Sequence, residues 1–115
     1  MPQRAKSSPT DRVFAALSNP TRRDVLDLLL DGPRAVQEIA ERFDMARPSV
    51  SEHLRVLLDA GLVTETRQGR HRIYAVVPEP LHDLQSWLAP YERFWRAQLA
   101  GLRSYLDEDP SEENR

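Results

Sequence analysis

The chain has 115 residues, 40% hydrophobic and 30% charged, with a formal net charge of −2, which suits one domain with one core. It has no cysteine, which excludes a disulfide framework and a thiolate metal site. No apolar run approaches the ~20 residues of a membrane span and no secretion-signal core opens the chain, so a cytoplasmic protein without membrane contact is expected.

Residues 1–9 hold two prolines, two serines, Arg4 and Lys6, and read as a disordered N-terminal arm. Thr10 is placed to cap a short helix through Ser18, with Val13, Phe14 and Leu17 on one side. Asn19-Pro20 restarts the chain, because Asn caps well and Pro suits the first helical position. The second helix runs to about Leu30, offers Val25, Leu26, Leu28 and Leu29 to a core, and ends at Asp31-Gly32-Pro33. Val36, Ile39, Ala40 and Phe43 then fall at i, i+3, i+4 and i+7, which predicts a third helix.

Asp44-Met45-Ala46 is long enough only for a tight turn before the stretch from Arg47 to Gly61. There Val50, Leu54, Leu57 and Leu58 form one apolar stripe, and Gly61 can stop the helix with a positive φ. Arg47, Ser49 and Ser51 lie near its first turns, with Glu52, His53 and Arg55 following. Two short helices around such a turn, at about 35–60, make a helix-turn-helix whose second helix can enter a major groove. Glu52 has three readings, acceptance from a cytosine amine, pairing with Arg55 or simple solvent exposure. His53 has two, a hydrogen bond that braces the helix or direct DNA contact.

Leu62–Arg67 and His71–Val77 read as strands around a Gln68-Gly69-Arg70 turn, a hairpin wing over 62–77. Its tip carries Arg67, Arg70, His71 and Arg72, suited to phosphate or the minor groove. After Pro78 and Pro80, residues 81–106 carry a heptad-like apolar seam of Leu81, Leu84, Leu88, Tyr91, Trp95, Leu99, Leu102 and Leu106, with Trp87, Phe94 and Tyr105 beside it. Five of the eight aromatic residues fall here, more apolar surface than a small domain with its own core needs, so the segment is read as a dimerisation helix. Whether these aromatics also line an effector pocket is left open. Pro90 predicts a kink or two helical pieces. Asp107, Glu108, Asp109, Glu112 and Glu113 against Arg115 put −4 on an acidic tail, 107–115, expected to be disordered; residues 10–106, the winged domain, and the arm before it carry +2.

The order and spacing of Phe14-Ala15-Ala16-Leu17-Ser18-Asn19-Pro20-Thr21-Arg22-Arg23, Ile39-Ala40-Glu41-Arg42, Arg47-Pro48-Ser49-Val50-Ser51-Glu52-His53-Leu54 and Gly61-Leu62-Val63 resemble the ArsR-type winged helix-turn-helix repressors. The run Trp-Leu-Ala-Pro-Tyr-Glu-Arg-Phe-Trp at 87–95 resembles a subgroup without metal sites, often encoded beside proteins of lipid-binding type. The resemblance implies a mostly helical fold with a small β-hairpin and a homodimer formed through the terminal helices. It also implies repression from an inverted-repeat operator, often the regulator's own promoter. It assigns DNA contact to Arg47, Ser49, Ser51, Glu52 and Arg55 in the helix and to Arg67, Arg70, His71 and Arg72 in the wing. Metal-sensing members use a cysteine pair in the third helix, where this chain has Ala35-Val36-Gln37-Glu38-Ile39-Ala40. Only His82-Asp83 stand together as ligand types, so no metal or other cofactor is expected. Ala35 and Ala46 stand where the family favours capping Ser or Thr, at a cost of ~1 kcal/mol each.

Two other classes were weighed. A winged-helix module binding protein instead of DNA is favoured by the modest +2 and by Glu52. An enzyme is not expected, because no nucleophile–base pair, paired carboxylates or phosphate loop occurs.

Overall fold

The computed structural model describes the backbone of residues 8–113 and the side chains of residues 8–107. Its elements in chain order are α1 (Pro9–Leu17), α2 (Pro20–Leu29), β1 (Arg34–Ala35), α3 (Val36–Phe43), α4 (Arg47–Asp59), β2 (Val63–Gln68), β3 (His71–Val76) and α5 (Glu79–Glu113). Two compact units result, residues 1–83 and 84–115.

The first unit is built on helix ends. α1 begins two residues earlier than expected: Ser8, not Thr10, is its cap. Ser8 Oγ accepts from the Asp11 amide at 3.0 Å and the Asp11 carboxylate accepts from the Ser8 amide at 3.4 Å. This reciprocal box outcompetes a cap at Thr10, because it satisfies two end amides instead of one. Pro9 therefore belongs to α1 and Ser8 caps it, while the rest of the expected arm lies outside the described residues. Asn19 Oδ1 caps α2 by accepting from the Arg22 amide at 3.1 Å. Ala35 and Ala46 do head α3 and α4 without side-chain caps. At Ala35, Glu38 partly compensates, its carboxylate accepting from the Ala35 amide at 2.9 Å.

Ile39, Val50, Leu54, Leu57, Leu62 and Val25 are the largest fully buried side chains, so the core lies among α2, α3, α4 and the start of β2. Phe14, expected inside, is 40% exposed, and Ala16 takes the buried place on α1. α4 ends in a Schellman arrangement: Gly61, at φ +77°, donates to Leu58 O and the Leu62 amide donates to Leu57 O. The chain thus turns from α4 into β2 within three residues.

The sheet has three strands, not two, in the order β1-β3-β2, all antiparallel. β1 was missed because two residues leave no periodic signal; Arg34 pairs with Tyr74 and Ala35 with Ile73. The β2–β3 turn is only Gly69-Arg70, since Gln68 already pairs with His71. Gly69 at φ +63° and Arg70 at negative φ fit a type II′ hairpin.

The second unit is the body of α5. Of the kink or two helical pieces expected at Pro90, the division into two pieces is absent: a single helical run extends through Glu113, across much of the segment expected to be a disordered acidic tail. An interior proline removes one amide donor and crowds the carbonyl four residues before it, but the turns on either side keep their own hydrogen bonds, so the helical run is not divided. Trp87 and Tyr91 pack with ring centroids 4.8 Å apart. Exposure of Leu88, Tyr91, Phe94, Trp95, Leu99 and Leu102 ranges from 44% to 65%. No helix among the described residues is long and apolar enough to cross a membrane.

Candidate nucleic-acid interface

Helix α4 buries Val50, Leu54 and Leu57 against the core, which turns Arg47, Ser49, Ser51, Glu52 and Arg55 outward. The hairpin extends from the same unit, with its distal half exposed from Thr64 to Arg72. Between them lies an open groove of about 380 Å³, lined by Gln37 of α3, Arg47 and Ser51 of α4, and Arg70, His71 and Arg72 of the wing, among others. Residues more than twenty positions apart in sequence thus share one basic depression. Arg47 Nη2 donates to Gln37 Oε1 at 3.4 Å, so the first helix of the motif steadies the arginine of the second.

Not every candidate joins the groove. Ser49 and Glu52 are exposed on α4 outside its lining, and Arg67 lies in a second shallow depression with Glu65, Thr66 and Arg72. Arg55 pairs with Asp59 at 3.9 Å, one turn on, instead of with Glu52. His53 is half-buried, with Nδ1 3.4 Å from Arg22 Nη1. The bracing hydrogen bond is therefore present.

Sequence reasoning missed the residues that hold this surface together. Arg22 Nε donates to Ala16 O at 2.7 Å and Nη2 to Ala15 O at 3.3 Å, while Arg23 Nη1 donates to Leu17 O at 2.7 Å. Two arginines of α2 thus satisfy the last carbonyls of α1, which has no basic residue in its own final turn. Glu65 was missed as well. The wing tip contains no acid in sequence, yet the strand register sets Glu65 diagonal to Arg72, and Arg72 Nη1 lies 3.3 Å from Glu65 Oε2. Tyr74 Oη donates to the same oxygen at 2.8 Å. Burial, and then the Glu65 carboxylate, push the Tyr74 phenol above its usual range. Among the described residues no group of three His, Cys, Asp or Glu is placed to hold a metal ion.

The sequence profile described as "Bacterial regulatory protein, arsR family" matches residues 19–65, from the cap of α2 to the start of the wing. The HTH-type transcriptional regulator Rv2034 of Mycobacterium tuberculosis is 38% identical over 99 residues, covering 86% of this chain and 90% of the relative. This chain belongs to the ArsR family. The transcriptional repressor SdpR of Bacillus subtilis is 38% identical over 78 residues, 68% of this chain and 87% of the repressor. A crystal structure of an ArsR family transcriptional regulator, RHA00566, superposes with a TM-score of 0.71 at 40% identity, covering 77% of this chain and 98% of its own. The solution structure of the homodimeric winged helix-turn-helix DNA-binding domain Mb0332 of Mycobacterium bovis matches with a TM-score of 0.61 at 30% identity, covering 79% and 91%. ArsR-family members are DNA-binding transcriptional regulators, not enzymes, and the winged helix-turn-helix expected from sequence is the fold observed. In this ArsR-family chain α3 and α4 are the helix-turn-helix and β2–β3 is the wing.

Proposed function

We propose that this ArsR-family regulator works as a cytoplasmic homodimer that represses transcription from an inverted-repeat operator, its own promoter included. The observation that carries this reading is the basic groove in which Arg47 and Ser51 of α4 meet Arg70, His71 and Arg72 of the wing. In each protomer the N-terminal end of α4 enters the major groove. There Arg47, Ser49, Ser51, Glu52, His53 and Arg55 face base edges and adjoining phosphates, and Arg67, Arg70, His71 and Arg72 follow the backbone or the minor groove. Two such helices set about one duplex turn apart, ~34 Å, read the two half-sites.

The dimer forms through α5, with Leu84, Leu88, Tyr91, Phe94, Trp95, Leu99 and Leu102 packing on their counterparts. A row of aromatic and aliphatic side chains this exposed is unusual for a monomer and is explained by a second copy. The related Mycobacterium bovis domain, described as homodimeric, supports the same assembly.

The test is titration of the chain against duplex from its own upstream region at two salt concentrations, with sedimentation of protein and complex. A dimer with affinity that falls steeply as salt rises is expected. A monomer at working concentration, or indifference to every duplex offered, would overturn the reading in favour of a protein-binding module.

A further inference from the structure

Glu65 stands opposite Tyr74 in the wing and diagonal to Arg72. Its Oε2 receives two donors, Tyr74 Oη at 2.8 Å and Arg72 Nη1 at 3.3 Å. The donors differ in kind. Tyr74 is only 4% exposed, so its hydroxyl is fixed by the core and anchors the carboxylate from beneath. The Arg72 side chain is 52% exposed and is gripped only at its tip. Among the described residues Arg67, Arg70 and His71 make no such side-chain bond, so the anchored carboxylate engages one wing cation and leaves the others uncommitted.

An oxygen anion accepting an arginine N–H is chemically what a DNA phosphate also offers. We propose that Glu65 is a built-in competitor for phosphate: it holds Arg72 in the free protein, and Arg72 reaches the duplex backbone only by leaving it. The proposal rests on the DNA-facing role given to the wing above. An exposed ion pair is weak enough to be displaced, so Arg72 is restrained and not lost. The cost falls on the sequence-independent part of binding, which is carried by cations meeting phosphates. Glu65 thereby raises the share of affinity that must come from base contacts, and so acts as a specificity-determining residue.

The experiment uses the full chain, a short random-sequence duplex and fluorescence anisotropy over a range of salt. The variants are Glu65→Gln, Arg72→Gln, their combination and Tyr74→Phe, with thermal melts to check folding. The amide in Glu65→Gln still accepts from Tyr74 Oη, so the fold is retained. Glu65→Gln should tighten binding about two- to fivefold per protomer. It should also steepen the slope of log affinity against log salt by up to ~0.9 per protomer. Arg72→Gln should weaken binding of the parent and abolish the gain in the Glu65→Gln background. Tyr74→Phe, which frees the carboxylate without removing its charge, should give a smaller gain of the same sign. Unchanged or weaker binding in Glu65→Gln would overturn the proposal, whatever Tyr74→Phe does. So would a gain that survives Arg72→Gln, since that gain is bulk charge removal. A parent chain without salt-dependent duplex binding would overturn the DNA interface and this proposal together. Salt-dependent parent binding with an inert Glu65→Gln would overturn the proposal alone.

Discussion

Nη1 of Arg22 lies 3.4 Å from Nδ1 of His53, joining the first turn of α2 to the middle of α4. A guanidinium has donors and no acceptor, so the hydrogen bond joining the two side chains runs from Arg22 to Nδ1 of His53. Together with its bonds to Ala15 and Ala16, this makes Arg22 the fastener between α1 and α4.

Arg22→Ala removes donors from two helix-end carbonyls and from His53 at once. The expected loss of stability is ~2–3 kcal/mol, the range for charge-assisted bonds in a partly buried setting. Urea denaturation at neutral pH measures it. Arg22→Lys should recover less than half, because a single ammonium does not reproduce the planar fork.

Arg47 and Arg70 face the same groove but are expected to fail differently. Arg47→Ala should weaken operator binding by ~1–3 kcal/mol, as for loss of a guanine contact, with a smaller effect on random duplex. Arg70→Ala should weaken all sequences alike and flatten the salt slope by ~0.9 per lost phosphate contact. Salt-resolved titrations of both variants on matched and scrambled duplexes check this. Equal behaviour of the two would remove Arg47 from base readout.

Gly69 sits at φ +63° with open space where a side chain would stand, so a substitution there meets backbone strain and no clash. Gly69→Ala should cost ~1 kcal/mol and Gly69→Asn less, since Asn tolerates the left-handed region. Chemical denaturation of the two variants provides the comparison.

The raised Tyr74 phenol gives the chain an alkaline limit. The native state holds this proton more tightly than the unfolded chain, whose tyrosine ionises near 10. The resulting stability is complete below pH 10 and is lost as pH rises through the folded-state value. With one lysine, Lys6, and three tyrosines in the sequence, few groups obscure this region. Denaturation against pH should show stability falling above pH 10, and Tyr74→Phe should flatten that fall while costing ~1–2 kcal/mol at neutral pH for the lost bond to Glu65.

Much of this was readable in the chain because its signals are local. Asn19-Pro20 and Gly61 mark helix ends by their own backbone preferences, and the stripe Val50, Leu54, Leu57 sets which side of α4 faces out. What escaped is non-local or too short. Glu65 meets Arg72 only through strand register, Arg22 meets His53 across thirty-one positions, and two-residue β1 has no period to detect. The Ser8 cap was overlooked because Thr10 offers similar chemistry two residues later, and only the reciprocal bond from Asp11 decides between them.

The stitching of Arg34 and Ala35 to Tyr74 and Ile73 has a consequence for how a promoter is measured. It ties the base of the wing to the start of α3, while the Gly61 turn ties its other strand to the end of α4. The wing is therefore fastened to both helices of the motif, one strand to each. In the dimer proposed above, wing and α4 of one protomer then move on a half-site together, so changing the number of central base pairs in an inverted repeat is expected to alter affinity as a step and not gradually.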